Sequence, residues 1–293
     1  MTTNRKVQRL AQAIRDCDAV LVGVGSGMSS AAGLTYSGPR FDKYFSDFRD
    51  AYGITDIYSG GFYPFPDPET YWAWWSRHIY YNRYDLEPVP PYTTLRTILE
   101  GRDWFILTTN VDHQLQIAGF DKKRIFYTQG DYGLLQCSVP CHDATYDNED
   151  LVRRMVEEQS DMRIPTELIP YCPRCGAPMV PNLRSDASFV EDKGWHAAAD
   201  RYTDFIRRHQ GGKVLYLELG VGYNSPGVIK YPFWSMAIRN PESTFASVGI
   251  DDAEAPLELT LRSICIDADI RETLDAVEKI LGTQDASEQG SAK

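Results

Sequence analysis

Apolar residues recur along the chain with two different periods, which indicates helices alternating with buried strands. Near the amino terminus, Val7, Leu10, Ala11 and Ile14 share the spacing of one helix face. The run Ala19–Val24 follows at once and is short, apolar and rich in β-branched residues, as is typical of a buried strand. The chain is therefore expected to begin with a helix followed by a strand.

The same two patterns repeat to the end of the chain. Further strands are predicted at residues 104–108, 125–127, 214–219, 244–248 and 261–266. Helices are predicted at 91–99, 192–208 and 269–281, where Gly282 is expected to end the last one and the polar tail 283–293 to fray. Strands that alternate with helices predict an α/β fold with a Rossmann-like, doubly wound parallel sheet.

Two stretches interrupt this alternation. Residues 41–84 hold 16 of the 36 aromatic residues, and residues 136–181 hold two close cysteine pairs and several prolines. We predict that these stretches form a smaller domain, composed of an aromatic helical part and a zinc-ribbon part. The large Rossmann-like domain then comprises residues 1–40, 85–135 and 182–293.

Composition and charge narrow the class of protein. Of 293 residues, 43% are hydrophobic and 24% charged, which is typical of globular chains and disfavours intrinsic disorder. The formal net charge of −11 opposes binding to nucleic acid or to an anionic membrane surface. No apolar run approaches the roughly 20 residues that span a bilayer, and no signal sequence is evident, so we expect a cytoplasmic protein without membrane or nucleic-acid partners.

Four of the six cysteines form two close pairs, a pattern that indicates a metal rather than disulfides. Thiolates arranged tetrahedrally form a closed Zn²⁺ site, which would stabilise a small domain and leave no position for catalysis. One structural Zn²⁺ is therefore predicted on Cys137, Cys141, Cys172 and Cys175. His142 is a spare ligand candidate, and Cys17 and Cys265 are expected to be inert core residues.

A glycine-rich segment from Gly23 to Gly33 follows the first predicted strand. Glycines at a strand-to-helix turn let the backbone approach a pyrophosphate, so a nicotinamide dinucleotide is the favoured ligand. We accordingly expect a bulky residue at Gly27 to weaken NAD⁺ binding while the fold survives. The alternative is that these glycines only turn the chain.

Short polar residues also follow the strand at 104–108. Ligands in open α/β sheets bind beyond the carboxyl ends of the strands, where Asn110 and Asp112 would be presented together. The amide could position a water or a carboxamide, and the carboxylate could lie beside a developing cation. Alternatively, both residues only cap the next helix.

The aromatic segment presents Tyr71, Trp74, Trp75 and His78 at helical spacing. Packing within the small domain is the first interpretation of this stripe. A wall that covers a cofactor is the second.

Taken in order, these pieces resemble the sirtuin family from about the first helix to Gly282. The segment Gly25–Gly33 looks like the family's G-A-G-I-S-x-x-A-G loop, and Thr108–Asp112 looks like its T-Q-N-I-D. Gly220-Val221-Gly222 stands where Gly-Thr-Ser contacts the cofactor, and 247–251 falls near the ribose-binding Asn.

The resemblance implies an NAD-binding cleft between the two domains and a set of residues that line it. Its catalytic members would be Asn110, Asp112 and Gln129. Residues at the matching positions are expected to bind NAD, namely Gly25, Ser26, Gly27, Ser29, Gly33, Tyr36, Arg40, Thr109, Asn110, Val111, Asp112, Gln129, Gly220, Gly222 and Asp251.

Two departures from the family pattern point to one branch of it. Gln129 stands where the family has its catalytic His, and residues 35–38 replace Pro-Asp-Phe-Arg, with Arg40 nearby as a substitute. These features resemble the macrodomain-linked microbial sirtuins. That resemblance implies protein mono-ADP-ribosylation of an acceptor such as a lipoyl carrier protein similar to glycine cleavage H, and a linked macrodomain hydrolase as a partner.

The residue types favour the same activity on chemical grounds. Sirtuin-type deacylation needs a general base at a ribose hydroxyl, which an amide side chain such as Gln129 cannot supply. ADP-ribosyl transfer needs only nicotinamide departure, stabilisation of the cationic centre and a placed nucleophile. Two alternatives stay open: an NAD-dependent protein-lysine deacylase with a substituted base, and a non-catalytic NAD-binding sensor or scaffold.

Overall fold

A computed structural model describes the backbone of residues 2–291 and the side chains as far as residue 283. Its α-helices are α1 Thr3–Asp16, α2 Ser26–Ala31, α3 Pro39–Tyr52, α4 Ile57–Gly60, α5 Pro68–Ile79, α6 Tyr92–Ile98, α7 Gln114–Ile117, α8 Glu149–Glu158, α9 Lys193–Arg208, α10 Lys230–Arg239 and α11 Ile270–Ser291. A π-helical turn at Tyr80–Tyr84 continues α5, and short 3₁₀ turns lie at Lys122–Arg124, Thr166–Leu168 and Leu257–Leu259.

The strands form two separate sheets. In chain order they are β1 Ala19–Val24, β2 Trp104–Thr108, β3 Ile125–Tyr127, β4 Gly130–Cys137, β5 Tyr146–Asp147, β6 Met179–Leu183, β7 Val214–Leu219, β8 Thr244–Gly249 and β9 Ser263–Asp267. The large sheet has the order β3-β2-β1-β7-β8-β9, and the small one the order β5-β4-β6.

The large sheet is parallel throughout, so the predicted α/β fold with a doubly wound parallel sheet is confirmed. Val24 at the end of β1 is in register with Thr108 on β2 and with Leu219 on β7. Because parallel strands present their carboxyl ends at one edge, the segments after β1, β2 and β7 meet there. This edge brings the glycine loop beside Asn110 and Gly220.

Both faces of the large sheet are covered by helices. One core joins α1, α6 and α11 to the sheet through residues such as Leu10, Ile98 and Leu274. The other joins α9 and α10 through Phe205 and Phe233. Covering both faces explains why the strands appear in the sequence as continuous apolar runs rather than as alternating patterns.

Two of the predicted boundaries near the carboxyl terminus are wrong. Strand β9 begins at Ser263, because Leu261 lies in a turn and is 93% exposed. Helix α11 continues through Gly282 to Ser291. A glycine inside a helix costs only about 1 kcal/mol relative to alanine, and the buried face formed by Leu274, Val277 and Leu281 holds α11 to the sheet. The expected fraying of the tail 283–293 stays a prediction, because residues 292 and 293 and the side chains after residue 283 lie outside the described part of the chain.

The antiparallel sheet and helices α3, α4, α5 and α8 pack around a separate aromatic core. Phe45 and Phe48 lie against the buried Trp74, with the Phe48 and Trp74 ring centroids 5.2 Å apart. The aromatic stripe of α5 therefore packs mainly inside this small module. Strands β4 and β6 extend beyond residues 136–181, and the predicted division of the chain into domains stays a prediction.

Among the described residues, no helix combines the length and the apolar composition needed to cross a membrane.

Candidate active site

The glycine loop contacts a second glycine loop at the carboxyl edge of the large sheet. The Gly27 amide donates to the Gly220 carbonyl oxygen over 3.0 Å. A Cβ at Gly27 would lie 2.7 Å from the Gly220 Cα, and Gly220 itself has a φ of +62°. Glycine is required here by contact between two backbones. A bulky residue at Gly27 would therefore displace Gly220, so it would disturb this second loop as well as any ligand, and survival of the fold stays a prediction.

Asn110 joins the strand end of β2 to the glycine loop. Its side-chain Nδ2 donates to the Gly25 carbonyl oxygen over 2.9 Å and lies 3.0 Å from the Ser29 Oγ. The backbone amide of Asn110 donates to the Thr108 Oγ1 over 3.0 Å, and this bond fixes the turn. Asn110 Oδ1 has no hydrogen-bond partner among the described residues, so it remains available to a ligand.

Asp112 is buried beside Asn110 and is held by two donors. The Ser29 hydroxyl donates to its Oδ2 over 2.5 Å, and the Gln114 amide donates to its Oδ1 over 3.1 Å. Burial raises the pKa of Asp112 above its usual value, although both hydrogen bonds act in the opposite direction. One Asp112 oxygen therefore accepts from the first residue of α7, whose N-cap is His113, while the other belongs to the Ser29 cluster.

Gln129 bridges two loops. Its Nε2 donates to the Ser225 Oγ over 3.2 Å, and its backbone oxygen accepts from the Arg184 amide over 3.0 Å. Ser225 belongs to the loop that follows Gly220 and Gly222. The side chain has no other hydrogen-bond partner among the described residues.

The two candidates that replace the Pro-Asp-Phe-Arg segment face the small module. The Tyr36 hydroxyl lies 2.6 Å from that of Tyr132 on β4. The Arg40 guanidinium donates to the Asn82 Oδ1 over 2.9 Å and to the Tyr81 carbonyl oxygen over 2.5 Å. Tyr36 therefore links the loop after α2 to β4, and Arg40, at the start of α3, links that helix to the π-helical turn.

The remaining candidates are dispersed along the same edge. The Thr109 amide donates to the Val24 carbonyl oxygen, and the Val111 carbonyl accepts from the Tyr132 amide. The Ser26 side chain has no hydrogen-bond partner among the described residues, and Gly33 is exposed. Asp251 is also exposed, with its amide bonded to the Asp267 Oδ1 over 3.0 Å at the far side of Gly220.

The structure adds two groups that the sequence analysis missed. Tyr92 on α6 is buried, and its hydroxyl lies 2.9 Å from the Ser29 Oγ. Tyr132 is buried on β4 and reaches Tyr36. No local pattern distinguishes these tyrosines from the others in the chain, because only the folded sheet brings α6 and β4 to this edge.

A buried ion pair beneath the Gly220 loop was also missed. Lys230 Nζ lies 3.2 Å from the Glu218 Oε2 and donates to the Asp252 carbonyl oxygen over 3.1 Å, and both charged side chains are completely buried. Burial raises the pKa of Glu218 to about 7, against the opposing charge of Lys230. A glutamate inside the apolar run 214–219 was the available signal for this pair.

The four paired cysteines converge at one end of the small sheet, with all Sγ atoms within 4.8 Å of one another. Cys137 and Cys175 Sγ are 3.6 Å apart, as are Cys141 and Cys172 Sγ. Tetrahedral zinc with Zn–S bonds of about 2.3 Å needs S···S separations of about 3.8 Å, so the cluster fits a closed structural Zn²⁺ site. His142 Nδ1 lies 3.0 Å from the Cys141 Sγ, outside the cluster of four.

Replacing Cys172 with serine is expected to remove bound zinc and to lower the melting temperature by several degrees, because the two cysteine pairs lose the metal that joins them. Elemental analysis and thermal unfolding measure both effects. Cys265→Ser is the matched control, since Cys265 lies on β9 far from the cluster. A zinc-free wild-type protein, or a Cys172→Ser variant that is stable but inactive, would contradict a structural zinc site.

Comparison with known proteins identifies the family. No family model matches the chain. A protein ADP-ribosyltransferase from Staphylococcus aureus (strain Mu50 / ATCC 700699) is 39% identical over 267 residues, which cover 91% of this chain and 85% of that protein. A solved complex of a Sir2 homologue with NAD matches 94% of each chain with a TM-score of 0.59 and 18% identity. This chain belongs to the protein ADP-ribosyltransferases with the sirtuin fold.

A second relative places the family domain within a larger protein. A probable bifunctional ADP-ribose hydrolase/ADP-ribosyltransferase from Fusarium oxysporum f. sp. cubense is 31% identical over 241 residues. The match covers 78% of this chain but 39% of that relative. The resemblance to sirtuins seen in the sequence is thus confirmed for family and fold.

Proposed function

We propose that this protein transfers single ADP-ribose groups from NAD⁺ to a protein acceptor and releases nicotinamide. The name of the Staphylococcus aureus relative supports the reaction type. The edge where β1, β2 and β7 end supports the location, because ligands of open α/β sheets bind beyond the carboxyl ends of the strands. On this proposal the glycine loops around Gly25 and Gly220 bind the pyrophosphate, and Asp251 lies at the adenosine end.

The observation that carries the proposal is the environment of Gln129. Its amide bridges to Ser225, and no histidine or carboxylate contacts the side chain among the described residues. An amide has no proton affinity near neutral pH, so the position can hold a ribose hydroxyl but cannot deprotonate it. Ordinary deacylation is therefore disfavoured, whereas transfer keeps every group that it needs.

The polar cluster supplies the remaining roles. Asn110 is held by Gly25 and Ser29 through Nδ2, which leaves Oδ1 to orient the ribose or the attacking group. The Asp112 carboxylate, held by Ser29, lies where its charge can stabilise positive charge that develops at C1′ as nicotinamide departs.

The acceptor and the partner are the finer part of the proposal. From the family resemblance we propose a lipoyl carrier protein similar to glycine cleavage H as the acceptor, in the cytoplasm. A macrodomain hydrolase that removes ADP-ribose is proposed as a functional partner. The printed name of the Fusarium relative, which joins hydrolase and transferase in one protein, supports such a linkage.

Product mass spectrometry tests the proposal directly. The zinc-loaded protein is incubated with NAD⁺ and with three candidate substrates in parallel: a lipoylated carrier protein, its unmodified form and an acyl-lysine peptide. We expect ADP-ribose on the carrier protein. Robust loss of the acyl group with no ADP-ribose on any acceptor would overturn the proposal in favour of the deacylase, and NAD⁺ binding without turnover would favour the sensor.

Gln129→Ala is expected to slow transfer by about 3- to 10-fold, because one hydrogen bond to the substrate is lost and no proton-transfer step is affected. Steady-state kinetics of nicotinamide release measure this. Gln129→His is the companion variant, since it restores a base in the same position. A loss of 100-fold or more in Gln129→Ala, with unchanged stability, would show that Gln129 takes part in the chemistry itself.

A further inference from the structure

A hydrogen-bonded chain of three polar side chains, two of them buried and Tyr36 half-buried, runs from the small module to the loop after α2. His78 Nε2 on α5 lies 2.8 Å from the Tyr132 hydroxyl, which lies 2.6 Å from the Tyr36 hydroxyl. His78 and Tyr132 are 3% and 4% exposed. Tyr132 is the only hydrogen-bond partner of the Tyr36 side chain among the described residues.

The direction of this chain follows from the environment of His78. Burial lowers the pKa of His78 to about 3, with Arg40 adding to the effect, so the ring is neutral and carries one hydrogen. His78 Nδ1 is buried and has no hydrogen-bond partner in the described part of the protein. Because an unpaired N–H is more costly than an unpaired lone pair, the hydrogen lies on Nε2 and is donated to Tyr132. Tyr132 then donates to Tyr36, whose own hydrogen has no acceptor among the described residues.

Tyr132, the middle group, is tied through its backbone to the segment that carries Asn110 and Asp112. The Tyr132 amide is bonded to the carbonyl of Val111, the residue between Asn110 and Asp112. Burial raises the pKa of Tyr36 to about 12, and the nearby Asp112 charge acts in the same direction. Tyr36 therefore remains a neutral hydrogen-bond donor throughout the physiological range.

We propose that Tyr36, oriented through Tyr132 by His78, donates a hydrogen bond to an oxygen on the nicotinamide-ribose half of NAD⁺. The inference rests on the proposed function, because it assumes that NAD⁺ binds at this edge. Tyr36 contacts the substrate, whereas Tyr132 and His78 are positioning residues. Networks of this kind strengthen their terminal donor and fix its orientation.

Calorimetric titration of the zinc-loaded protein with NAD⁺ and with ADP, which lacks the nicotinamide half, tests this assignment. Tyr36→Phe is expected to weaken NAD⁺ binding by about 3- to 10-fold and to leave ADP binding unchanged. Tyr132→Phe should show a smaller loss for NAD⁺ alone. The double variant should bind no more weakly than Tyr36→Phe, because both changes remove one contact.

Tyr71→Phe is the matched control, since this tyrosine also packs against aromatic rings but has no side-chain hydrogen bond among the described residues. Thermal unfolding of each variant separates lost contacts from lost structure. Unchanged NAD⁺ affinity in folded Tyr36→Phe, or equal loss for NAD⁺ and ADP, would overturn the assignment. Failure of the wild-type protein to bind NAD⁺ at all would instead overturn the proposed function.

The imidazole of His78 provides an independent readout. Nitrogen-15 NMR of the imidazole distinguishes a hydrogen on Nε2 from one on Nδ1. The Nε2–H form is expected, and it should disappear in His78→Phe, which identifies the signal. A neutral ring with its hydrogen on Nδ1 would reverse the direction of donation, so that Tyr36 donates to Tyr132. This result would overturn the proposed donor role of Tyr36 toward NAD⁺.

Discussion

Asn110→Ala is expected to reduce ADP-ribosyl transfer by about 100- to 1,000-fold, which is the usual loss when a preorganised polar group at a reacting centre is removed. The side chain supports the loop through Gly25 and Ser29, while its Oδ1 has no hydrogen-bond partner among the described residues. Its removal therefore affects both the position of the reacting groups and the geometry of the loop. Single-turnover measurements of acceptor labelling, at saturating NAD⁺, isolate the chemical step.

Asn240→Ala is the matched control for Asn110. Asn240 Nδ2 also donates to a backbone carbonyl, that of Gly212, over 2.9 Å, but at the amino-terminal side of β8. This variant is expected to lose stability and to retain the transfer rate. Near wild-type labelling by Asn110→Ala, with a normal melting temperature, would remove Asn110 from the mechanism.

Lys230→Met is expected to lower the free energy of unfolding by about 3–5 kcal/mol, because it leaves the Glu218 carboxylate buried without its counter-ion. Both side chains are completely buried, and Glu218 Oε1 already has no hydrogen-bond partner within the described residues. The variant also removes the donor to the Asp252 carbonyl, so the Gly220 loop should bind NAD⁺ less tightly. Urea unfolding at neutral pH measures the loss.

Two further variants test the origin of that loss. The double variant Lys230→Met with Glu218→Gln should recover a large part of the stability, since neither side chain of the former pair then carries a charge. Lys43→Met, at an exposed lysine, should change stability by less than about 0.5 kcal/mol. If Lys230→Met were as stable as Lys43→Met, the pair would not be an ion pair in solution.

The buried Lys230–Glu218 pair also predicts how the stability of the protein depends on pH. Glu218 has a pKa of about 7 in the folded protein, above the value of 4.5 for an ordinary glutamate. Between these values the folded state binds more protons than the unfolded state, so the contribution of Glu218 to stability falls as the pH rises. Glu218→Gln should remove this part of the pH dependence, which urea titrations at pH 5 and pH 7.5 can detect.

Much of the architecture follows from local sequence patterns. Apolar runs predicted the bounds of β1, β2, β3 and β7, because a strand buried on both faces must be apolar at every position. The paired cysteines predicted the cluster that the structure assembles, since thiolate spacing is dictated by the metal's coordination geometry. The sirtuin motifs identified the family before the fold was known.

Some features depended on contacts between distant segments. The role of Gly27, for example, depends on the close approach of the Gly220 backbone. Local propensity cannot give this contact, because the two glycines are far apart in the sequence and meet only in the folded protein.

The sequence by itself therefore determined the sheet, the cysteine cluster, the family and the candidates Asn110, Asp112 and Gln129. Only the tertiary structure decided what each candidate contacts: that Asn110 holds the glycine loop and that Tyr36 ends a buried chain from His78. The physical reason is that periodicity and spacing report burial and local geometry. Hydrogen bonds between residues up to about 100 positions apart are made only when the fold brings their elements to one edge.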